Sequence, residues 1–199
     1  SLGFRDGEDR ILVNCHAGCS FEEITAAAGI KASDLFHGNG TNGHNGKPQI
    51  VETYPYRDES GTLLFEAVRF SPKGFRQRRP DGNGGWEWSL KGVRRVLYRL
   101  PDLQGKGIAY IPEGEKDADR LWELGIPATC NSMGAGKWRE EYTEQLKAAG
   151  IENVVIVPDK DGPGETHGIA VARSCFKAGL QIKILHLPGL EEHGDFSDW

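Results

Sequence analysis

The chain has 199 residues, 38% of them hydrophobic and 27% charged, and a net charge of −5. That length supports one compact domain or one domain with a small satellite, and the balance of apolar and charged residues is that of a globular protein. The sequence holds no apolar run near the roughly 18 residues of a membrane span and no basic-then-apolar leader, and its four irregularly spaced cysteines make no disulfide scaffold, so a reducing, cytoplasmic setting without a membrane partner is expected.

Residues 1–36 open with a polar stretch. Residues 11–13 favour a short strand, and Cys15-His16-Ala17-Gly18-Cys19 follows. Ser20 stands three residues before Glu23, a capping box for a helix that carries Ile24, Ala27 and Ala28 and stops at Gly29. Residues 37–49 read as a linker, because His37 to Lys47 is rich in Gly and Asn and has no apolar residue to bury.

Residues 50–100 read as a basic, β-rich subdomain. Residues 50–57 and 62–70 favour strands joined by the turn Asp58-Glu59-Ser60-Gly61, and Trp86-Glu87-Trp88 alternates as a further strand. Between residues 69 and 99 nine basic residues face only Asp81 and Glu87, so that segment carries +7 within a chain of net −5. Such an excess of cations fits phosphate contact, and Arg69, Lys73, Arg76, Arg78 and Arg79 are the candidates. The interleaved Trp and Phe residues offer faces for base stacking, but most are expected to form the buried side of the sheet. The glycine-rich loop from Asp81 to Gly85 is expected to be free to move on binding.

Residues 101–199 alternate strands and helices. Strands are expected at 108–111, 128–131, 154–157 and 182–187, and helices at 116–124, 138–149 and 169–178, the helices ending at Gly125, Gly150 and Gly179. That alternation implies an α/β fold with a largely parallel sheet. Cys130 and Cys175 lie in apolar surroundings and read as buried hydrophobes.

Ligands of an open parallel sheet gather at the carboxyl ends of its strands. One strand runs through Pro112 into Glu113, another runs through Pro158 into Asp159-Lys160-Asp161, and Asp195 and Asp198 follow the last. A lone Asp-x-Asp weighs little, since acids populate most loops. Two acidic strand ends in one unit weigh more, because crowded carboxylates need a cation, and hard oxygen ligands suit Mg²⁺ or Mn²⁺. Gly134-Ala135-Gly136-Lys137 is not a nucleotide-triphosphatase phosphate loop, since Asn131 and Trp138 stand where that motif needs Gly and Ser or Thr.

Glu113-Gly114-Glu115-Lys116-Asp117-Ala118, Ser132-Met133-Gly134-Ala135-Gly136 and Asp159-Lys160-Asp161 resemble the three signature regions of the TOPRIM fold, a Rossmann-like module shared by bacterial-type primases, topoisomerases and some nucleases. The stretch from Asp159 through Gly168 to Ala172, with Asp195-Phe196-Ser197-Asp198-Trp199, most resembles primase-type proteins of phages and mobile elements. Upstream, Arg57-Asp58-Glu59-Ser60-Gly61, the Arg69 strand and Leu97-Tyr98-Arg99-Leu100 are similar to the basic subdomain of primase cores. Cys15 to Ile24 resembles the second half of a primase zinc ribbon.

The resemblance implies that residues 101–199 are the catalytic domain of a DNA primase, which makes short RNA primers on single-stranded DNA from nucleoside triphosphates. It implies Glu113 as the acid/base residue and Asp159 and Asp161 as Mg²⁺ ligands, with Asp195 or Asp198 as further ligands. Lys160 would face the nucleotide, Lys116 would offset acidic charge, and a helicase domain or subunit would be a partner. A nuclease would use the same carboxylates, and a non-catalytic module binding single strands would use the same cations. A topoisomerase would need a nucleophilic tyrosine, and no tyrosine here sits in a recognisable setting for one. Structural zinc needs four ligands. Cys15 and Cys19 supply two, so Zn²⁺ is expected only in a longer parent chain, of which this sequence, beginning at Ser1, reads as a piece.

Overall fold

The computed structural model describes residues 2–6, 11–15, 18–31, 48–72, 74–191 and 194–199. The predicted linker segment 37–47 and Lys73 lie outside these residues. The chain divides into two compact units, Ser1–Lys47 and Pro48–Trp199. No described helix is long and apolar enough to cross a membrane.

The first unit pairs β1 (Leu2–Asp6) and β2 (Ile11–Cys15) as an antiparallel hairpin, followed by α1 (Phe21–Ala28). β1 was not expected from its polar surroundings. The capping box forms as the sequence dictates: the Glu23 N–H donates to Ser20 Oγ at 3.3 Å, and the Ser20 N–H donates to Glu23 Oε2 at 2.7 Å. Gly29 ends the helix in the left-handed region at φ 66°, where a side chain would be strained. The Cys19 thiol pKa is raised, first by its hydrogen bond with Cys15 and then by the charge of that thiol.

The second unit begins with an antiparallel meander: β3 (Gln49–Arg57), β4 (Leu63–Ser71), β5 (Gly74–Pro80) and β6 (Trp86–Glu87), neighbours in that order. Asp58 Oδ1 closes the first hairpin by accepting from the Ser60 and Thr62 N–H groups at 3.0 and 2.9 Å. Asp81 Oδ1 closes the 81–85 loop in the same way, accepting from Asn83 and Gly85 at 2.8 Å each. Registers place Tyr54 opposite Ala67, Arg69 opposite Phe75 and Tyr56 opposite Phe65 on one face, with Arg76 and Arg78 on the other. β5 was not predicted, because its Arg-rich sequence lacks the alternation of a half-buried strand. Phe75, Trp86 and Trp88 also depart from the expected buried role. They stay 43%, 38% and 41% exposed, and Arg76 and Arg78 lie over the two indoles at 4.4 and 4.0 Å. Cation–π contact lets a wet strand face hold large rings without burying them.

Residues 93–103 then cross to the second sheet without regular strand or α-helix. Gln145 holds them, accepting from the Leu97 N–H and donating to the Arg95 carbonyl, both at 2.9 Å. The second sheet is parallel, in the order β7 (Ile108–Ile111), β8 (Asn153–Ile156), β9 (Gln181–Ile184). Its helices are α2 (Glu115–Glu123), α3 (Glu140–Ala148) and α4 (Gly162–Lys177). The strand expected at 128–131 is reduced to one parallel bridge, Ala128 to Tyr110. α4 begins seven residues earlier than expected, because Asp161 caps it and Pro163 sits in its first turn, where proline needs no N–H partner. Tyr56 and Phe65 from the meander, Leu97 and Leu103 from the crossing, and Ala109, Ile156, Leu121, Leu146 and Val171 from the α/β layers belong to one continuous core. Cys130 and Cys175 are fully buried in it.

Candidate active site

β7 and β8 are hydrogen-bonded neighbours that run the same way, so the segments leaving their carboxyl ends emerge at one edge. Glu113 leaves β7 there and Asp159 leaves β8. A cleft of about 420 Å³ opens at that edge, with Glu113, Asp117, Asp159 and Asp195 on one side and Tyr54, Arg69 and Phe75 of the meander on the other. The cleft therefore lies where the two sheets of the second unit meet.

The acids repel one another. Asp159 is pushed up to about 7, first by burial and then by the charges of Glu113, Asp117, Asp195 and Asp161. Burial also raises Glu113, with Asp161 and Asp117 adding to the shift and the Ala135 backbone N–H opposing it. Asp117, only 4% exposed, is raised by burial even though Ser197 donates both its N–H (2.9 Å) and its hydroxyl to Asp117 Oδ1. Glu113 Oε2 is buried and has no hydrogen-bond partner among the described residues. Lys116 partly offsets this charge, with Nζ 3.4 Å from Asp195 Oδ2 and both side chains partly exposed.

Such a set fits a hard divalent cation: several carboxylates crowded so that their charged forms are disfavoured, one buried oxygen without a partner among the described residues, and Lys116 paired with Asp195 alone. Among the described residues no three acidic, histidine or cysteine side chains converge into a ready-made cage. Mg²⁺ does not require one, since it takes one or two carboxylates and keeps several waters.

The sequence candidates separate in space. Asp161 lies within electrostatic reach of Glu113 and Asp159 but also caps α4, accepting from the Gly164 N–H at 2.6 Å. Asp195 lines the cleft. Asp198 does not; it forms a reciprocal capping box with Asp195 and lines a separate hollow beside Trp199. The Lys160 ammonium donates to the Leu190 carbonyl, and its N–H donates to Gly194 at 3.2 Å, so this residue ties down the C-terminal segment. Arg69 faces the cleft beside the Tyr54 hydroxyl. Arg76 and Arg78 lie on the opposite face of the meander, with Arg78 on Glu66 at 2.8 Å, and Arg79 pairs with Glu87 at 2.5 Å.

Two groups in the site were missed by sequence reasoning. Asp117 stands four residues after Glu113, one helical turn along, and that spacing was the available signal. A second cleft of about 370 Å³ adjoins the first across Met133 and gathers Gln77, Arg95, Lys137 and Arg139. No single segment carries that cluster, so no local pattern announced it. Tyr56 donates its hydroxyl to buried Glu115 at 2.7 Å, and Arg99 and Tyr98 both bond Asp119 on α2, which ties the meander, the crossing and the α/β half together.

Residues 110–199 match the family model described as Toprim-like. The chain is 26% identical to the DNA primases of Chlamydia muridarum and Chlamydia trachomatis over 154 residues, covering 72% of this chain and 24% of each relative. It thus spans about a quarter of the length of the curated relatives it matches. Among solved structures it resembles the primase fragment of the bacteriophage T7 primase-helicase protein, with TM-score 0.51, 18% identity, and 73% of this chain and 55% of that one covered. It likewise resembles the zinc-binding and RNA polymerase domains of the Aquifex aeolicus primase, with TM-score 0.53, 17% identity, and 70% and 34% covered. The match to the Toprim-like family model thus covers the α/β half of the chain, and the fold is shared with these two solved structures.

Proposed function

We propose that this chain is the catalytic core of a DNA primase, a nucleotidyltransferase that joins nucleoside triphosphates into short RNA primers on single-stranded DNA. The observation that carries this reading is the convergence of Glu113 and Asp117 with Asp159 and Asp195, from three separate parts of the sequence, on one wall of a cleft whose other wall presents Arg69.

Glu113 and Asp159 are the residues that would hold Mg²⁺, with Asp161 beside them and Asp195 within reach. Bound there, Mg²⁺ would lower the pKa of the primer 3′-hydroxyl and neutralise charge on the departing pyrophosphate. Glu113 is the residue that would take the hydroxyl proton in this reaction. Arg69 places a cation opposite the acids, where a triphosphate or template phosphate can lie between them. The cluster of Arg95, Lys137 and Arg139 continues that positive wall past Met133 and suits the backbone of a strand leaving the cleft. A helicase domain or subunit, as in the T7 primase-helicase protein, is the partner that would supply single-stranded template.

Paired Asp159→Asn and Asp161→Asn changes test this reading, because asparagine still caps α4. Primer synthesis from labelled nucleotides should disappear while binding to single strands survives. Retained synthesis would remove the assignment. Incubation of labelled single strands with Mg²⁺ and no nucleotides should give no cleavage, which separates polymerisation from nuclease chemistry on the same acids.

A further inference from the structure

The segment 132–136 has no regular structure, yet it is the part of the chain that holds Glu113 from the side. The Ala135 backbone N–H favours the charged form of Glu113, and a Cβ on Gly134 would stand in van der Waals contact with Glu113 Oε1 at 3.5 Å. This loop is strained. Met133 and Gly134 lie in the left-handed region at φ 71° and 64°, and a non-glycine residue persists there only when its surroundings hold it.

Two side chains provide that hold. Asn131, 1% exposed, donates to the Gly134 carbonyl at 2.8 Å. His167, in the second turn of α4, accepts the Gly136 N–H on Nδ1 at 3.1 Å. His167 is 5% exposed, and its Nε2 has no hydrogen-bond partner among the described residues. Because Nδ1 accepts, the proton of the neutral ring sits on Nε2, where it is buried unanswered. Burial also lowers the pKa of the ring and keeps it neutral. An apolar side chain would fill this space without an orphaned N–H. What the imidazole alone supplies is the acceptor that meets Gly136.

We propose that His167 is a positioning residue for Glu113: by anchoring Gly136 it fixes the loop whose Gly134 lies against that carboxylate in the cleft. The inference rests on the reading of Glu113 as a metal-holding acid. It gives α4 two tasks at the site, since the helix orders Asp161 at its cap and Glu113 through the loop that His167 anchors.

Three substitutions and three readouts test it. His167→Leu removes the acceptor, His167→Asn returns a carboxamide oxygen near the place of Nδ1, and His167→Gln puts its oxygen near Nε2 instead. The readouts are amide exchange at Ala135 and Gly136, Mn²⁺ affinity by electron paramagnetic resonance, and primer synthesis. The Leu variant should exchange both amides about tenfold faster, in line with the loss of one hydrogen bond. It should also bind Mn²⁺ more weakly and lose kcat with nucleotide KM unchanged, and Asn should restore all three where Gln does not. Wild-type exchange and Mn²⁺ affinity in the Leu variant would overturn the proposal, as would an Asn variant no better than Leu. If the Leu variant does not fold, Asn against Gln decides: equal behaviour overturns the proposal, and recovery by Asn alone supports it. A wild-type protein that binds Mn²⁺ but makes no primer would leave the exchange and affinity results standing and would remove only the primase reading.

Discussion

Asp117 accepts both the N–H and the hydroxyl of Ser197, 80 residues further along the chain, and this pair brings the C-terminal turn onto the rim of the acidic cleft. The same turn carries Asp195 to the cleft wall and leaves Asp198 outside it. The acids of the cleft therefore come from three separate segments, and the charge they bring together governs how the protein responds to pH and to metal.

Asp159 sets the pH response. Its carboxyl is pushed up from 3.8 to about 7 by burial and by its acidic neighbours. Between those two pH values the folded protein keeps a proton that the unfolded chain has released, so the contribution of Asp159 to stability falls as pH rises and levels off above about 7. Metal-free Asp159→Asn should gain Tm relative to wild type across that interval, read by calorimetry at several pH values. Added Mg²⁺ should raise the wild-type Tm more above the interval than within it.

Gly164 fixes the backbone beneath the same residue. A Cβ there would stand 2.7 Å from the Asp159 carbonyl oxygen and 3.1 Å from its nitrogen, whereas a Cβ on Gly162 would meet nothing within 4 Å. Gly164→Ala should cost about 1–3 kcal/mol by overpacking and should weaken Mg²⁺ binding. Gly162→Ala should do neither. Urea unfolding of the pair, with and without Mg²⁺, checks both statements.

Tyr56 stacks on Phe65 with ring centroids 4.4 Å apart and donates its hydroxyl to Glu115, which is 8% exposed. Tyr56→Phe keeps the stack and strips the carboxyl of its donor. It should destabilise the protein by about 1–3 kcal/mol, the cost of a buried acceptor left unmatched. Double substitution with Glu115→Gln measures the coupling.

Arg69 and Arg94 should behave oppositely. Arg94 is bound bidentately to Glu59 at 2.8 and 2.7 Å, on side chains 52% and 40% exposed, so Arg94→Ala should change stability by less than about 1 kcal/mol and leave strand affinity intact. Arg69 lines the cleft, and Arg69→Ala should weaken single-strand binding and reduce the salt slope by about 1. Fluorescence anisotropy across a salt series distinguishes them.

The features legible in the sequence are those governed by neighbours in the chain. Ser20 and Glu23 cap α1 because both partners lie within one turn, and Glu113 and Asp159 share an edge because each directly follows a strand of an α/β repeat. The start of α4 was hidden because Gly162-Pro163-Gly164 reads as a breaker until Asp161 is seen as its cap. The exposure of Trp86 and Trp88 was hidden because hydrophobic bulk signals burial, and only the register with Arg76 and Arg78 reveals a cation–π surface. The division of labour between Asp195 and Asp198, and the arrival of Arg95, Lys137 and Arg139 at one cleft, depend on long-range packing that no local pattern encodes.

Diffraction from crystals soaked in Mn²⁺, recorded at the manganese absorption edge, tests the central claim most directly. An anomalous peak between the carboxylates of Glu113 and Asp159, lost in Asp159→Asn, is the predicted result. A fully ordered cleft without manganese, or manganese bound only at other acids, would contradict it.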